Sequence, residues 1–191
     1  MPQALLFPAF LRLSGRAVLL VGGGKVAASK LQSLLEAGAR VTVVAPQIGD
    51  ALIKPAVRLL PRPFEPTDLD GQWLAVAAAT PEVNREVARA AELRRIFVNA
   101  VDDVASASAY LGGVVRRGGV TVAISTGGRA PALAGLLREA LEAVLPCEIG
   151  RWLTLAEALR LRQRQEGVPI AERRPLLLRA LEELYQRRGA A

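Results

Sequence analysis

Residues 17–27 read Ala17-Val18-Leu19-Leu20-Val21-Gly22-Gly23-Gly24-Lys25-Val26-Ala27, and the fold follows from this stretch. A continuous apolar run bounded by glycines predicts a strand buried on both faces. The residues that follow it match the Gly-x-Gly-x-x-Gly/Ala fingerprint, placed directly after a strand and opening a helix, as phosphate binding requires. Gly22 is expected to permit the tight turn, Gly24 to let a pyrophosphate approach the backbone, and Ala27 to allow close helix-strand packing. The helix start supplies free N–H groups and partial positive charge. The alternative is a glycine turn kept for packing alone.

Outward from this point, Lys25 to Ala37 carries Val26, Leu31, Leu34 and Leu35 on one helical face, with Gly38 as the stop. Arg40 to Val44 reads as a second strand closed by Pro46, and Val57 to Leu60 as a weaker one. Trp73 to Ala79 reads as a buried strand; Thr80 and Pro81 then provide an N-cap and a first-turn proline for a helix through about Arg94. Ile96 to Val101 is the next strand. Strands alternating with helices in this way predict an α/β fold, a Rossmann-like parallel sheet covered on both faces.

After Asp102 and Asp103 the pattern changes. Tyr110 to Arg116 and Val120 to Ser125 read as a hairpin turning at Arg117-Gly118-Gly119, and Pro131 to Val144 as a helix. From Ile149 two amphipathic segments follow, split at Gly167-Val168-Pro169. Trp152, Leu155, Leu159, Leu177, Leu181 and Leu184 lie at helical spacing and read as core or dimer contacts. The expected organisation is a nucleotide-binding domain over 1–110, a strand-plus-helix segment over 111–147 and a helical region over 148–191.

Composition narrows the chemistry. The 191 residues include no histidine, which excludes Ser-His-Asp triads, Cys-His dyads and imidazole metal ligands. Proton transfer then falls to carboxylates, hydroxyls, amines or water. The single cysteine, Cys147, forms no internal disulfide and points to a reducing compartment. The N-terminus lacks a basic region and is interrupted by Pro2 and Pro8, unlike a signal peptide, and no apolar run approaches a membrane span. These features predict a soluble, cytoplasmic protein.

The net charge is +7, and the only lysines are Lys25, Lys30 and Lys54, so the basic residues are otherwise arginine. Arginine grips carboxylates and phosphates in a two-pronged geometry, which suits an anionic partner; a solvated surface is the bland alternative. Nucleic acid is not expected: aromatic residues are only 4% of the chain, and the C-terminal arginines are interleaved with glutamates.

Three further positions carry candidate chemistry. Asp102 follows the last parallel strand, at the carboxyl end of the sheet where such folds bind ligands, and Asp103 is adjacent. A carboxylate there can serve as acid or base, or the two residues can simply turn the chain. Ser125-Thr126-Gly127-Gly128-Arg129 combines hydroxyls, glycine N–H groups, a guanidinium and a helix start, and reads equally as an anion-binding loop or an ordinary turn. The second strand ends Val44-Ala45-Pro46-Gln47 with no acid until Asp50, which leaves ribose contacts to the backbone or Gln47 and the choice between NAD and NADP open.

Val21 to Ala27, Leu35 to Pro46, Asn99 to Asp102 and Ala123 to Gly128, in this order and spacing, resemble the precorrin-2 dehydrogenase and sirohydrochlorin ferrochelatase family, the N-terminal module of siroheme synthases. The similarity runs from Phe7 to the C-terminal helices. It implies NAD-dependent oxidation of precorrin-2 to sirohydrochlorin, followed in some members by Fe2+ insertion to give siroheme. It also implies a Rossmann domain, a homodimer formed through the following segment, and a C-terminal helical region. The family's catalytic aspartate falls on Asp102. Cofactor contacts fall on Gly22, Gly23, Gly24, Lys25 and Val26, on Pro46 and Gln47, and on Ala79 and Thr80. The loop Ser125, Thr126, Gly127, Gly128 and Arg129 falls beside the tetrapyrrole site. One departure stands out: the family commonly has serine before the proline of this loop, where this chain has Ala130. An NAD(H)-sensing regulatory module without tetrapyrrole chemistry is the competing reading; it does not need Asn-x-Val-Asp followed by Ser-Thr-Gly-Gly.

Overall fold

A computed structural model of the chain describes residues 5–189; Pro2, read above as interrupting the N-terminus, lies outside them. Two compact units are present. The first comprises residues 1–111 with 125–130, and the second 112–124 with 131–191.

In the first unit, β1 (Ala17–Val21), β2 (Arg40–Val44), β3 (Arg58–Leu60), β4 (Leu74–Ala77) and β5 (Phe97–Ala100) form one parallel sheet in the order β3-β2-β1-β4-β5. The central strands β1 and β4 are apolar at every position because helices cover both faces of the sheet. Val18, Leu20, Val41, Val43, Leu74 and Val76 pack under α1 (Lys25–Glu36) through Ala27, Leu31 and Leu34. Leu19, Val21, Ala75, Ala77 and Val98 face the other way, with Val87, Ala90 and Ala91 of α2 (Pro81–Leu93). Residues alternate between the two cores along each strand, as the pleat requires.

The strand order reverses at β1, flanked by β2 and β4. Val21 is in register with Val44 on one side and with Ala77 on the other. The chain ends leaving β1 and β4 therefore diverge to opposite faces and open a crevice at the carboxyl edge of the sheet.

Several expectations are corrected in detail. Val26 does not belong to the packed face of α1; it is 48% exposed, and Ala27 takes its place in the core. Trp73 precedes β4 and is exposed, its ring covered by the Arg16 guanidinium at 3.4 Å. Its bulk therefore serves a cation-π contact at the start of the strand. Two single-turn 3-10 helices, Asp50–Leu52 and Pro66–Leu69, add to the expected elements. Both are too short to show a hydrophobic period, although Leu52 and Leu69 are fully buried.

In the second unit, β6 (Gly113–Arg117) and β7 (Val120–Ile124) form an antiparallel hairpin. Arg117 pairs with Val120, so the turn is the two residues Gly118-Gly119, both with positive φ (53° and 83°). That is the turn whose twist suits a hairpin, and only glycine enters it cheaply. Here glycine is also required by space: a Cβ on Gly118 would lie 2.4 Å from the backbone nitrogen of Gly150, at the start of α4 (Ile149–Gln165). Helix α3 (Pro131–Val144) packs on β6, and α4 pairs with α5 (Ile170–Gly189). Trp152, Leu155, Leu159, Leu177, Leu181 and Leu184 are half-buried, and Leu133, Leu136 and Leu137 of α3 are exposed. Among the described residues, no helix is long and apolar enough to cross a membrane.

Candidate functional site

The crevice is built first from backbone. Gly22 N–H donates to the Val44 carbonyl, and Ala78 N–H to that of Val21, which carries the strand register one residue beyond the sheet. Gly22 has φ 131°, and a Cβ there would lie 2.2 Å from the Ala78 carbonyl oxygen. Gly23 is still more confined: a Cβ would come within 1.8 Å of the Gln47 carbonyl oxygen. Gly49 N–H donates to the Gly23 carbonyl at 3.0 Å. Gly22 to Gly24, the Pro46-Gln47 turn and the Ala78-Ala79 segment are thus drawn together around the end of β1.

Gly24 differs. A Cβ on it would meet nothing within 4 Å. It sits as the N-cap of α1, where no side chain caps the helix and no acidic residue stands in the first turn. The first N–H groups of a helix lack intrahelical partners. An uncapped helix start beside open space fits the phosphate of a dinucleotide. Lys25 and Val26, the first residues of α1, are exposed there.

A cavity of about 290 Å³ adjoins this edge, lined by Val26, Ala78, Ala79, Pro81, Asn84, Val101, Asp102 and Asp103. It brings together residues from α1, the β4–α2 connection and the β5 exit. Thr80 occupies the N-cap position of α2, but its hydroxyl does not cap the helix. Glu82 is held below the usual carboxylate range first by its own backbone N–H and then by a hydrogen bond with the Thr80 side chain.

The two adjacent carboxylates have different environments. Asp103 Oδ1 accepts the Ser106 backbone N–H at 3.1 Å. Hydrogen bonds, chiefly from the Ser106 side chain and then from the backbone of Ser106 and Ala105, hold Asp103 below the ordinary carboxylate range against a smaller opposing effect of desolvation. Asp103 therefore closes its own loop as an Asx-type turn. No hydrogen bond or ion pair engages the Asp102 carboxylate among the described residues, and its φ of 58° is left-handed, uncommon for a residue with a Cβ.

The loop bearing Asp102 is clamped at its base. Val98 N–H donates to Ser108 Oγ at 2.8 Å, and Asn99 Nδ2 donates to the Ala109 carbonyl at 2.9 Å. Val104 on this loop lies where Gly128 passes: a Cβ on Gly128 would be 2.6 Å from Val104 Cγ2 and 3.4 Å from the Tyr110 ring. Residues 125–130 therefore lie against the Asp102 loop, although they do not line the cavity. Within that segment Gly127 N–H donates to Ser125 Oγ and Ala130 N–H to Thr126 Oγ1, while Arg129 Nε donates to the Thr126 carbonyl. With the Arg129 backbone N–H also donating to the Thr126 carbonyl, three amides that an anion could have used are occupied locally, whereas the Arg129 side chain remains exposed. In the second unit, Arg173 Nε bonds the Val168 carbonyl at 3.0 Å.

Asn84 is a lining residue absent from the candidates that the sequence suggests. It is 3% exposed, with Oδ1 accepting Ala79 N–H at 3.0 Å and Nδ2 donating to the Val101 carbonyl at 3.3 Å. The available signal is its spacing: it precedes Val87 by three on the apolar face of α2, where an amide must find partners.

Residues 9–113 match a family described as "Putative NAD(P)-binding", and residues 117–143 one described as "Sirohaem biosynthesis protein central". Siroheme synthase 3 of Aeromonas hydrophila is 45% identical over 172 residues, covering 87% of this chain and 37% of that protein. The siroheme synthase of Salmonella typhi is 44% identical over the same length, covering 87% and 38%. The chain thus spans little more than a third of the length of these relatives. Among solved structures, the precorrin-2 dehydrogenase SirC superposes with a TM-score of 0.69 at 24% identity, covering 91% of this chain and 88% of that one, which shows a shared fold.

Proposed function

The chain belongs to the NAD(P)-binding family matched over residues 9–113, and from that premise we propose that it is an NAD-dependent oxidoreductase that converts precorrin-2 to sirohydrochlorin in siroheme biosynthesis. The observation that carries the reading is the cavity in which Val26, Ala79 and Asp102 meet. A helix start suited to phosphate and a carboxylate without a hydrogen-bond or ion-pair partner among the described residues stand on one rim. Bound dinucleotide supplies the hydride acceptor at its nicotinamide ring.

The chain's own residues bind, orient and remove a proton. Gly22, Gly23, Gly24, Lys25 and Val26 hold the pyrophosphate at the start of α1, with Pro46 and Gln47 toward the ribose and Ala79 and Thr80 toward the nicotinamide. The turn Pro46-Gln47-Ile48-Gly49-Asp50 offers no base for a 2′-phosphate and ends on an acid, which favours NAD over NADP. Asp102 is the base: as the macrocycle gives up a hydride, the accompanying proton passes to its carboxylate. Ser125, Thr126, Gly127, Gly128 and Arg129 flank the substrate, with the Arg129 guanidinium available to a carboxylate side arm. The net charge of +7 draws a polycarboxylate macrocycle toward the protein.

In this reading the protein is a cytoplasmic homodimer. The exposed Leu133, Leu136 and Leu137 of α3 support a second copy as the partner of that face. Insertion of Fe2+ would use the same carboxylate, which can accept a pyrrole proton as the metal enters.

Purified protein supplied with precorrin-2 and NAD+ is expected to produce NADH together with the spectrum of the dehydrogenated macrocycle. Asp102→Asn is expected to lower the rate about 100- to 10,000-fold while the dinucleotide dissociation constant stays within roughly threefold. Wild-type rates in that variant would remove Asp102 from the chemistry. Dinucleotide binding without turnover of the tetrapyrrole would favour the sensing module. Siroheme formation above a metal-only control decides the second activity.

A further inference from the structure

We propose that Asn84 is a positioning residue for Asp102, fixing the peptide plane through which the chain enters that aspartate; the inference rests on the proposed role of Asp102. Val101 is held from both sides. Its N–H donates to the Ala77 carbonyl at 2.9 Å, and its carbonyl accepts Asn84 Nδ2 at 3.3 Å. The N–H belongs to the Ala100–Val101 peptide and the carbonyl to the Val101–Asp102 peptide, so both planes flanking Val101 are held. The second is the plane from which the chain turns into φ 58° at Asp102. A left-handed conformation at a residue with a side chain persists only where the surroundings over-determine it.

The amide can point only one way. Ala79 N–H only donates and the Val101 carbonyl only accepts, so Oδ1 faces Ala79 and Nδ2 faces Val101. An amide serving only its own helix would have no reason to reach these partners. The Val101 contact spans 17 residues of sequence and joins two connections at the carboxyl edge of the sheet. Ala79 belongs to the cofactor side of the cavity and Asp102 to its substrate side, so one buried side chain sets the spacing between them. The contacts of Asn99 and Ser108 hold the far end of the same loop; neither reaches the connection that bears Ala79.

Steady-state and single-turnover kinetics of Asn84→Ala, alone and in the Asp102→Asn background, test the assignment. The expected result is a fall in kcat of roughly 10- to 100-fold, the scale of a misplaced reacting group, with the KM for precorrin-2 changed less than about threefold. In the Asp102→Asn background the same substitution is expected to change the rate less than about threefold, because the group being positioned is already gone. Wild-type kcat in Asn84→Ala, or equal losses in both backgrounds, would overturn the inference while leaving Asp102 as the base. Wild-type rates in Asp102→Asn would remove both. Should Asn84→Ala fail to fold, the isosteric Asn84→Asp goes through the same cycle: it keeps the acceptor for Ala79 and loses the donor to Val101.

Discussion

Asp102 and Asp103 are chemically identical neighbours with opposite surroundings. Asp103 is spent on its own loop, and hydrogen bonds, chiefly that of the Ser106 side chain, stabilise its ionised form. Its pKa is lower folded than unfolded, so the turn gains from it above the ordinary carboxylate value of about 4. That gain is lost as pH falls through the depressed folded value. Protection of the Ser106 amide from hydrogen exchange, taken relative to its intrinsic rate at each pH, is expected to fall over that acidic range, and Asp103→Ala to show the low protection already at neutral pH. Exchange that stays slow in Asp103→Ala would show that the turn does not depend on this carboxylate. In the sequence the two residues could not be separated, since each follows a strand. What distinguishes them is Ser106 three residues on, a local signal that Asx turns provide and that reads only once the loop is known to close.

At the scale of elements, the glycine turn was the most legible part of the chain, because its requirements are steric and local. The structure gives the three glycines different surroundings and adds a steric requirement at Gly23. Gly22 and Gly23 are pressed against backbone, and Gly24 faces open space. Gly23→Ala is expected to destabilise the protein by about 2–5 kcal/mol through overlap and forced backbone shifts, measured by chemical denaturation. Gly24→Ala is expected to leave the midpoint nearly unchanged and to weaken dinucleotide binding, read by calorimetry. Equal stability loss in both would contradict this division.

The 3-10 helix at Pro66–Leu69 lay beyond the reach of periodicity. It is held by Arg62, whose guanidinium meets the nearly buried Asp68 carboxylate at 2.9 and 2.5 Å, and by Glu65 N–H donating to the same carboxylate at 2.9 Å. Burial pushes Asp68 upward, yet the Arg62 hydrogen bond and charge, with the Glu65 backbone, outweigh it and keep the group below its usual range. Arg62→Ala is expected to lower the chemical-denaturation midpoint, since it strands a carboxylate with little access to water. An unchanged midpoint would reduce the contact to an ordinary surface pair. This ion pair is a meeting of residues six apart in an irregular segment, which neither charge pattern nor hydrophobic spacing announces.

At the scale of the whole molecule, alternation of strand and helix made the parallel sheet readable, and the change of rhythm after residue 103 made the hairpin readable. Asn84 was less so: in a sequence an amide on an apolar stripe says that a partner is needed and not which backbone groups supply it. The leucines left exposed on α3 are the molecular-scale counterpart of such an unmet requirement. If α3 is the interface of the proposed homodimer, Leu136→Glu is expected to sediment as a monomer where the wild type sediments as a dimer. A variant that sediments as the wild type would place the interface elsewhere.

The short segment 125–130 also has a consequence for how the chain can be divided. It clusters with the first unit while the residues on both sides of it cluster with the second, so the polypeptide passes between units three times. A fragment ending at residue 111 would keep every strand of the parallel sheet and yet lose Gly128, which lies against Val104 and Tyr110. Such a fragment is expected to bind dinucleotide and to show limited proteolysis between Asp102 and Tyr110 that the intact chain resists. The five parallel strands end by residue 100, yet a segment of their own unit returns from downstream at 125–130, so no single cut isolates that unit whole.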